Sequence, residues 1–563
     1  MSLTVAELLI DTLAKIGVRQ IFGVVGDALN PLTHALEADG RIEWIGVRHE
    51  EGAALAAAGQ AKLTGQIGVC CGTTGPGANH LVAGLYEARK DHAPVLAITG
   101  GVPSAKRGTD YLQEDVPDLL FRDVAVYTQT IAAPGQAAPV FHQAIAKAYG
   151  ERGVSHINIP PDVFAAKAGG PVPSLATLRP RPEVAPAHED IAAAAAQIAE
   201  AKTVAIFCGF GCHGAADHLV RLADRLQAPL MHTFRGKDIL AFDHPRWIGG
   251  VGLIGGKPGV DALRNADLLL MLGTDYPYSE FLPTHGRVIQ IDERAVALGR
   301  RTPVALGITG SVRPAIDLLL KMLPQRGDSA FFDGIAAHRA NWNAMLDKKA
   351  DPTRTGTTIH PPAVARLLSD HAAEDAIFVT DTGEVTLWAA NWLRQSGHQQ
   401  ITGSFNNAAV GTGMGIANGA QLLDRARQVI LQVGDGGFTM LLGEFMTAVE
   451  HKLPVKVVVY DNSGWGLVHL EMEAAGLPAA KGTSFPNLDF AAFARACGVK
   501  GFTARDPALL DSTITEFLDA SGPAILHAFI DPAEVPTMPH IGAGQAWKFG
   551  IAKARELAGA LRS

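Results

Sequence analysis

The chain has 563 residues, of which 47% are hydrophobic and 18% are charged, and its formal net charge is −8. A chain of this length is too long for a single domain with one hydrophobic core, so we expect about three domains of roughly 150 to 200 residues each. The net negative charge argues against a basic surface that would bind nucleic acid. No apolar run approaches the roughly 18 to 20 residues that cross a bilayer. Five cysteines without paired zinc spacing fit a reducing compartment, so we expect a cytoplasmic protein.

The predicted elements start with a helix, because Thr4 and Glu7 have the spacing of a capping box ahead of an amphipathic stretch. This start is not the pattern of an export signal. Farther along, β-branched runs that end in glycine or aspartate alternate with longer helical stretches. Such runs occupy residues 67–77, 203–214, 286–292, 429–437 and 455–462. The alternation predicts an α/β fold of three doubly wound domains, each a parallel sheet with helices on both faces.

The boundaries between these domains are predicted from composition. The proline-rich segment 168–190 and the polar segments 323–332 and 348–362 are typical of linkers. They divide the chain into domains at residues 1–170, 185–330 and 355–530, followed by a tail helix at 531–563. In parallel sheets of this kind ligands bind beyond the carboxyl ends of the strands, where the glycine and aspartate turns fall.

Two strand ends in the third domain carry oxygen ligands. Gly434-Asp435-Gly436-Gly437 follows one buried strand, and Asn462 and Gly464 follow the next. A glycine turn lets backbone N–H groups approach a phosphate, and the aspartate and asparagine oxygens suit one Mg²⁺ ion. The pattern therefore predicts a metal ion and a phosphate together. The alternative is a plain strand-to-helix turn in which Asp435 caps the helix.

This Gly-Asp-Gly turn followed by Asn462, together with Arg48-His49-Glu50, resembles the signature of the thiamine-diphosphate enzyme family. The resemblance implies a pyrimidine-binding first domain, a diphosphate-binding third domain, and Mg²⁺ held by Asp435, Asn462 and the carbonyl of Gly464. It further implies contacts to thiamine diphosphate from Glu50, Gly383, Asn407, Val410, Gly434, Asp435, Gly436, Gly437, Asn462 and Gly464. Val410 stands where relatives often carry a longer aliphatic side chain beneath the cofactor.

Glu50 is the predicted catalytic residue. It opens an alanine-rich, apolar helix, where a carboxyl group with little water nearby can hold and release a proton. In the family such a glutamate exchanges a proton with the aminopyrimidine, which leads to removal of the thiazolium C2 proton. The cofactor then serves as the electron sink for loss of CO₂ from a 2-oxo acid. For a lone glutamate the alternatives are a solvated helix charge and an ion pair with Arg48.

Within that family the chain is similar to the FAD-dependent pyruvate oxidase and pyruvate:quinone dehydrogenase group. The similar stretches are 74–81, 92–100, 234–240, 250–255, 272–278, 289–292, 403–409 and 452–463. The resemblance implies a central FAD-binding domain. The contacts to FAD are expected from Gly209, Gly211, Arg235, Val251, Gly252, Leu253, Ile254, Thr274, Asp275, Tyr276, Pro277, Tyr278 and Asp292.

The central domain also contains a dinucleotide pattern. Gly209, Gly211 and Gly214 match the G-x-G-x-x-G spacing after a strand. The next strand ends in Arg235 instead of the acid that an NAD ribose requires, so the pattern favours FAD over NAD. A purely structural glycine turn is the alternative. Ser311 departs from the group, which usually has aspartate there.

The expected substrate pocket also departs from the group. Relatives place phenylalanine at two positions beside the substrate methyl, and here these are Leu112, next to Gln113, and Leu467. Loss of both rings predicts a larger or reshaped pocket. Pyruvate is the expected substrate, and a longer 2-oxo acid is the alternative.

The tail at 547–563 has an apolar helical face flanked by lysine and arginine. A basic amphipathic helix of this kind lies on a membrane surface in some proteins, which suits a quinone-reducing enzyme at the inner face of the cell membrane. The alternative is a helix that caps its own domain. Quinone and oxygen are the expected electron acceptors.

Three functions fit these patterns. The leading one is oxidative decarboxylation of a 2-oxo acid to acetate or acetyl phosphate and CO₂, with FAD taking the electrons. The second is a carboligase similar to acetolactate synthase, with structural FAD, and the third is a catalytically silent binding protein. Family architecture implies an active site between chains and a homotetramer.

Overall fold

The computed structural model describes residues 3–169, 173–176, 178, 182–354, 356–478 and 481–537. The first domain begins with the expected helix, in which the Thr4 side chain accepts from the Glu7 N–H and the Glu7 carboxylate accepts from the Thr4 N–H. Its helices are α1 (Val5–Lys15), α2 (Asn30–Asp39), α3 (Glu50–Thr64), α4 (Pro76–Asp91), α5 (Pro117–Leu120), α6 (Ala137–Gly150) and α7 (Pro161–Ala165).

The first domain is built on a six-stranded parallel sheet of order β2-β1-β3-β4-β6-β5. The strands are β1 (Gln20–Gly23), β2 (Glu43–Gly46), β3 (Gly68–Gly72), β4 (Val95–Gly100), β5 (Ala125–Thr130) and β6 (Val154–Ile159). The central strands β3, β4 and β6 are buried throughout, as expected where helices cover both faces.

The central domain has a second six-stranded parallel sheet, of order β12-β11-β10-β7-β8-β9. Its strands are β7 (Val204–Cys208), β8 (Leu230–His232), β9 (Trp247–Gly250), β10 (Leu268–Leu272), β11 (Arg287–Asp292) and β12 (Leu306–Thr309). Its helices are α8 (His188–Glu200), α9 (Ala216–Leu226), α10 (Lys257–Asn265) and α11 (Val312–Met322). The strand order reverses between β7 and β10, which is the point where sheets of this type bind ligands.

The third domain repeats the plan, with sheet order β14-β13-β15-β16-β18-β17. Its strands are β13 (Ile377–Thr380), β14 (Gln400–Gly403), β15 (Val429–Gly434), β16 (Lys456–Asp461), β17 (Lys500–Ala504) and β18 (Ala524–Phe529). The helices are α12 (Ala330–Lys349), which precedes the domain, α13 (Pro361–His371), α14 (Glu384–Trp392), α15 (Gly413–Gln421), α16 (Asp435–Met440), α17 (Glu444–Glu450), α18 (Gly466–Ala474), α19 (Phe490–Ala496) and α20 (Leu510–Leu518). Three parallel α/β sheets confirm the predicted fold class.

The first and third domains share one hydrophobic core, because α3 packs closely against α15. A Cβ atom on Gly419 would lie 2.1 Å from the Ala56 carbonyl oxygen, and one on Gly59 would lie 2.9 Å from the Ile416 carbonyl oxygen. The small residues of α3 therefore let two helix backbones approach each other. This contact gives the alanine-rich sequence of α3 a packing role.

Among the described residues, no helix combines the length and the apolar character that crossing a membrane requires. The predicted tail helix at 531–563 lies outside the described residues from 538 onward, and its contact with a membrane surface stays a prediction.

Candidate active site

The predicted metal ligands lie at neighbouring strand ends. β15 and β16 pair in register up to Gly434 and Tyr460, so the residues that follow the two strands are adjacent. The N–H of Gly464 donates both to Asp435 Oδ2, at 3.1 Å, and to Asn462 Oδ1, at 3.1 Å. Gly434 is the N-cap of α16, so Asp435 is the first helical residue and does not serve as the cap. The Gly464 N–H thus links the other two residues that the motif predicted, Asp435 and Asn462.

A second acid stands behind this cluster. Asn487 donates from Nδ2 to Asp435 Oδ2 at 2.7 Å and to Asp461 Oδ1 at 2.8 Å, and His527 Nε2 lies 2.7 Å from Asp461 Oδ2. Burial, with the charge of Asp461 adding to it, raises the pKa of Asp435 to about 6. Burial also acts to raise the pKa of Asp461, but hydrogen bonds from His527 and Asn487 bring it to about 2. A divalent cation would offset the charge that burial disfavours here.

Glu384 joins the cluster from the end of β13. Its Oε2 accepts from Asn462 Nδ2 at 3.0 Å. Burial raises the pKa of Glu384 to about 7, and the neighbouring Asp435 acts in the same direction. The sequence patterns selected Gly383 but passed over Glu384 and Asn487. For Glu384 the available signal was its position at the start of the helix that follows a buried strand, and Asn487 carried no recognisable motif.

At the same edge of the sheet, the backbone of two glycines is not covered by neighbouring atoms. A Cβ atom would meet nothing within 4 Å at Gly383 or at Gly434, although β13 and β15 are neighbouring strands. Gly383 has a φ of +132°, which favours glycine. The Gly411 N–H donates to Asp381 Oδ2 at 3.0 Å, which holds the segment containing Asn407 and Val410 against this edge. Open glycine backbone beside two oxygen ligands fits a diphosphate held through a metal ion.

Glu50 begins α3 and is buried, with 7% of its surface exposed. Its Oε2 lies 2.9 Å from His80 Nδ1, and the rings of His49 and His80 stack with centroids 4.5 Å apart. Arg48 makes its ion pair with Glu450, not with Glu50. Both alternative interpretations of Glu50 are therefore wrong, since it is neither solvated nor paired with Arg48.

The third domain fixes both ends of α3. Glu444 Oε1 accepts from the backbone N–H groups of Arg48, at 3.0 Å, and His49, at 2.9 Å. Near the other end the buried Lys62 contacts Glu87 Oε1 and Asp91 Oδ2, each at 2.6 Å, and donates to the Gly403 carbonyl. Sequence patterns did not reveal these ties, because they join residues that are far apart along the chain.

The predicted substrate residues are not gathered within one chain. Leu112 is 79% exposed on a loop of the first domain beside Gln113, whereas Leu467 lies on α18 of the third domain. Over the described ranges no hydrogen bond or ring contact joins these two segments, and none joins Glu50 to Asp435 or Asn462.

The predicted flavin residues surround the switch point of the central sheet. Gly209 and Gly211 pack against the turn after β10: Cβ atoms there would lie 2.4 Å from the Gly273 oxygen and 2.8 Å from the Gly273 Cα atom, respectively. A 3₁₀ turn over Phe210–Cys212 follows, and α9 starts only at Ala216. The G-x-G-x-x-G spacing permits close turn packing here and does not lead directly into a helix N-terminus, and a flavin contact from Gly209 and Gly211 stays a prediction.

Several charged flavin candidates already have protein partners. Arg235 lies 3.3 Å from Asp91 Oδ1 and over the Phe210 ring, and Asp275 faces Arg294, Arg300 and Arg301. Asp292 ends β11 and accepts from the Arg294 N–H at 2.9 Å, and burial raises its pKa.

The remaining flavin candidates lie on two neighbouring loops, those after β9 and β10. Tyr276 donates to the Val251 carbonyl at 3.3 Å, across the space that the absent side chain of Gly252 leaves. The side chains of Leu253 and Tyr278 are exposed. Thr274 and Pro277 lie on the loop after β10, and Ile254 on the loop after β9. An acid at a strand end beside exposed apolar and aromatic surface fits the nucleoside and ring portions of a flavin dinucleotide.

Ser311 has a clear structural role. Its hydroxyl donates to Glu293 Oε1 at 2.8 Å and accepts from the Val184 N–H at 2.9 Å. An aspartate at this position would place a second negative charge beside Glu293. Serine, in place of the aspartate usual in the flavin group, therefore makes a local contact that joins the end of β12 to the segment before α8.

Three family models match the chain in order. The thiamine pyrophosphate enzyme N-terminal TPP binding domain matches residues 3–120, the central domain 191–319, and the C-terminal TPP binding domain 381–528. The chain belongs to the thiamine pyrophosphate enzyme family, in which thiamine pyrophosphate is another name for thiamine diphosphate. It is therefore a thiamine-diphosphate-dependent enzyme.

Individual relatives cover nearly the whole chain. A putative thiamine pyrophosphate-containing protein, YdaP, of Bacillus subtilis (strain 168) is 35% identical over 547 residues, covering 97% of this chain and 95% of the relative. Pyruvate oxidase of Lactiplantibacillus plantarum is 31% identical over 504 residues, covering 86% of this chain and 81% of the relative. The acetolactate synthase isozyme 2 large subunit of Escherichia coli (strain K12) is 30% identical over 546 residues, covering 94% of this chain and 96% of the relative.

Proposed function

We propose that this enzyme oxidatively decarboxylates a small 2-oxo acid, with pyruvate as the expected substrate, and passes the electrons to bound FAD. Acetate or acetyl phosphate and CO₂ are the products. The observation that carries the proposal is the conjunction of a buried Glu50, the oxygen ligands Asp435 and Asn462, which share the Gly464 N–H, and a flavin-compatible central sheet whose strand β11 ends in Asp292. Similarity to a pyruvate oxidase over 86% of the chain supports the same reaction.

The residues of the third domain would hold the cofactor through its diphosphate. Asp435 and Asn462 would supply side-chain oxygens to Mg²⁺, and the open backbone at Gly383 and Gly434 would accommodate phosphate oxygens. Thiamine diphosphate supplies the nucleophilic carbon and the electron sink for CO₂ loss when bound. Glu384, through its contact with Asn462, fixes the orientation of that ligand.

Glu50 holds and transfers the proton that activates the cofactor. Its carboxyl group is shielded from water and contacts His80 Nδ1, so its orientation is set by one neighbour. His49 caps α3 by accepting the Glu51 N–H at 3.2 Å, which fixes the first turn of the helix that carries Glu50. A carboxyl group held in this way is suited to general acid–base catalysis.

A carboligase similar to acetolactate synthase is the second candidate. It is favoured by similarity to an acetolactate synthase at 30% identity over 94% of the chain. The two reactions differ in stoichiometry. Oxidative decarboxylation releases one CO₂ per pyruvate and consumes an electron acceptor, whereas carboligation releases one CO₂ per two molecules of pyruvate and consumes none.

The stoichiometry gives a direct experiment. The purified enzyme is supplied with pyruvate, thiamine diphosphate and Mg²⁺, and CO₂ and remaining pyruvate are measured with oxygen or a soluble quinone present or absent. We expect equal amounts of CO₂ and consumed pyruvate, and a requirement for the acceptor. Half as much CO₂ without an acceptor would instead establish the carboligase. The Glu50→Gln variant is the inactive control and also excludes a silent binding protein if the wild type turns over.

We also propose that the active site forms between chains of a homotetramer. Within one chain Glu50 does not contact the metal ligands over the described ranges, and exposed apolar residues flank both halves of the site: Leu112, Leu119, Met440, Val468 and Leu477. An interface between chains would cover these exposed side chains.

Complementation tests this arrangement. Glu50→Gln and Asp435→Asn chains with different tags are co-expressed, and the mixed oligomer is purified. If each site uses Glu50 of one chain and Asp435 of another, each mixed pair of chains has one intact site and one doubly altered site, so mixed assemblies regain up to about half of the wild-type activity. If each site lies within one chain, the mixture stays as inactive as either parent.

A further inference from the structure

A cavity of about 40 Å³ lies between the central and third domains. Its walls come from the ends of β8 and β9, from α12 and from the carboxyl end of α14. None of the residues named above for thiamine diphosphate, metal or FAD lines it. A volume of this size holds about three water-sized groups, so any ligand must be small.

The cavity contains a buried cation. Lys237 is 5% exposed, and its Nζ donates to the Ala390 carbonyl at 2.9 Å. Across the described part of the chain no carboxylate lies within ion-pair distance of this amine. The adjacent Asp238 is occupied by His213 and by the Ile401 N–H, and Arg394 adds further positive charge nearby.

Gln395 lines the cavity from the third domain, just after the end of α14. This residue is 3% exposed, and neither Nε2 nor Oε1 has a hydrogen-bond partner among the described residues. An amide left in this state leaves a donor and an acceptor unsatisfied in a polar cavity. It is independent of Lys237, because it comes from a different domain.

The second titratable group of the cavity, His232, carries no charge at neutral pH. His232 Nδ1 lies 3.0 Å from the Thr233 carbonyl oxygen, so Nδ1 bears the proton, and the ring stacks on Trp247. Burial, together with Lys237, lowers the pKa of His232 to about 3. Any positive charge of the cavity therefore comes from Lys237 alone among its lining residues, and burial, which lowers the pKa of Lys237 to about 7, limits that charge to neutral and lower pH.

We propose that this cavity binds hydrogencarbonate. The Lys237 ammonium and the Gln395 amide N–H donate to its oxygens, and Gln395 Oε1 accepts its O–H group. Acetate and chloride offer no O–H donor and would leave Gln395 Oε1 unsatisfied. The ion forms by hydration of dissolved CO₂, whether from the medium or from the reaction proposed above, so its binding does not depend on that reaction.

Direct binding tests the proposal without any substrate. Purified wild-type enzyme is titrated with ¹³C-labelled hydrogencarbonate at fixed ionic strength and at a fixed pH no higher than the Lys237 pKa of about 7, so that the amine is protonated, and the width of the carbon resonance is measured. Thermal midpoints are recorded in hydrogencarbonate, acetate and chloride. We expect saturable line broadening, and a higher midpoint in hydrogencarbonate than in the other two anions.

Lys237→Met and Gln395→Leu each remove one side of the site. Each variant is expected to bind at least about tenfold more weakly, because a charged or neutral hydrogen bond is lost. Lys456→Met is the matched control: Lys456 is also a buried lysine bonded to carbonyl groups, those of Ala520 and Gly522, but it lies outside the cavity. Circular dichroism verifies that each variant folds.

Two results would overturn the proposal. Unchanged binding in folded Gln395→Leu, or in Lys237→Met if it folds, would place hydrogencarbonate elsewhere. Equal stabilisation by hydrogencarbonate and acetate would show that the O–H group is not recognised.

Discussion

Glu444 provides the sharpest test of how the third domain positions Glu50. In the Glu444→Ala variant the backbone N–H groups of Arg48 and His49 lose their shared acceptor, and Thr447 loses the oxygen to which it donates. Hydrogen bonds to a charged group are worth about 1.5–3 kcal/mol each. Two such bonds sit at the start of α3, directly before Glu50, so their loss frees the first turn of that helix.

The expected result is a fall in kcat. A displacement of about 1 Å at a catalytic group costs on the order of a hundredfold, so we expect Glu444→Ala to lower kcat about 10- to 100-fold with a smaller change in KM. Glu444→Gln keeps one acceptor oxygen and should recover much of this loss. Steady-state kinetics at saturating thiamine diphosphate and Mg²⁺ measure both parameters.

The matched control is Glu450→Gln. Glu450 contacts the side chain of Arg48 at the protein surface, where an ion pair is worth about 0–1 kcal/mol. This variant should keep wild-type kinetics. Wild-type kcat in Glu444→Ala, or an equal loss in Glu450→Gln, would refute the positioning role of Glu444.

Three further predictions follow. Glu50→Gln should lower kcat by about 10²- to 10⁴-fold while thiamine diphosphate still binds, as measured by cofactor fluorescence quenching. Asp435→Asn should raise the concentrations of Mg²⁺ and thiamine diphosphate needed for half-maximal activity; unchanged values would contradict the metal assignment. Burial lowers the pKa of Lys237 from 10.5 to about 7, so between these pH values the unfolded chain holds a proton that the folded chain lacks, and stability rises with pH. The wild-type thermal midpoint should therefore rise relative to Lys237→Met from pH 7 to 9, with His232, Asp238 and Arg394 unchanged; parallel midpoints would contradict the lowered pKa.

Part of the site could be predicted from the sequence, because its residues follow strands that the sequence pattern reveals and the parallel sheet brings the ends of those strands together. Asp435 and Asn462 each follow a buried strand, and parallel neighbours bring their carboxyl ends to one edge. Three repeats of strand and helix likewise predicted the three sheets. In both cases the information lies in short segments whose arrangement is fixed by the sheet.

Other features depend on contacts between distant segments. Glu444 caps the start of α3 from another domain, and Lys237 and Gln395 meet only after the central and third domains pack. Gly209 and Gly211 matched a dinucleotide spacing, yet the same spacing also permits the close packing observed against Gly273. A spacing pattern cannot distinguish these uses, because both require a residue without a side chain.

The absorption spectrum of the purified enzyme tests the proposed reaction most directly. Pyruvate is added without oxygen in the presence of thiamine diphosphate and Mg²⁺, to the wild type and to Glu50→Gln. We expect the flavin band of the wild type to bleach and that of Glu50→Gln to persist. A wild-type protein that has no flavin, or whose flavin stays oxidised while CO₂ is released, would contradict oxidative decarboxylation.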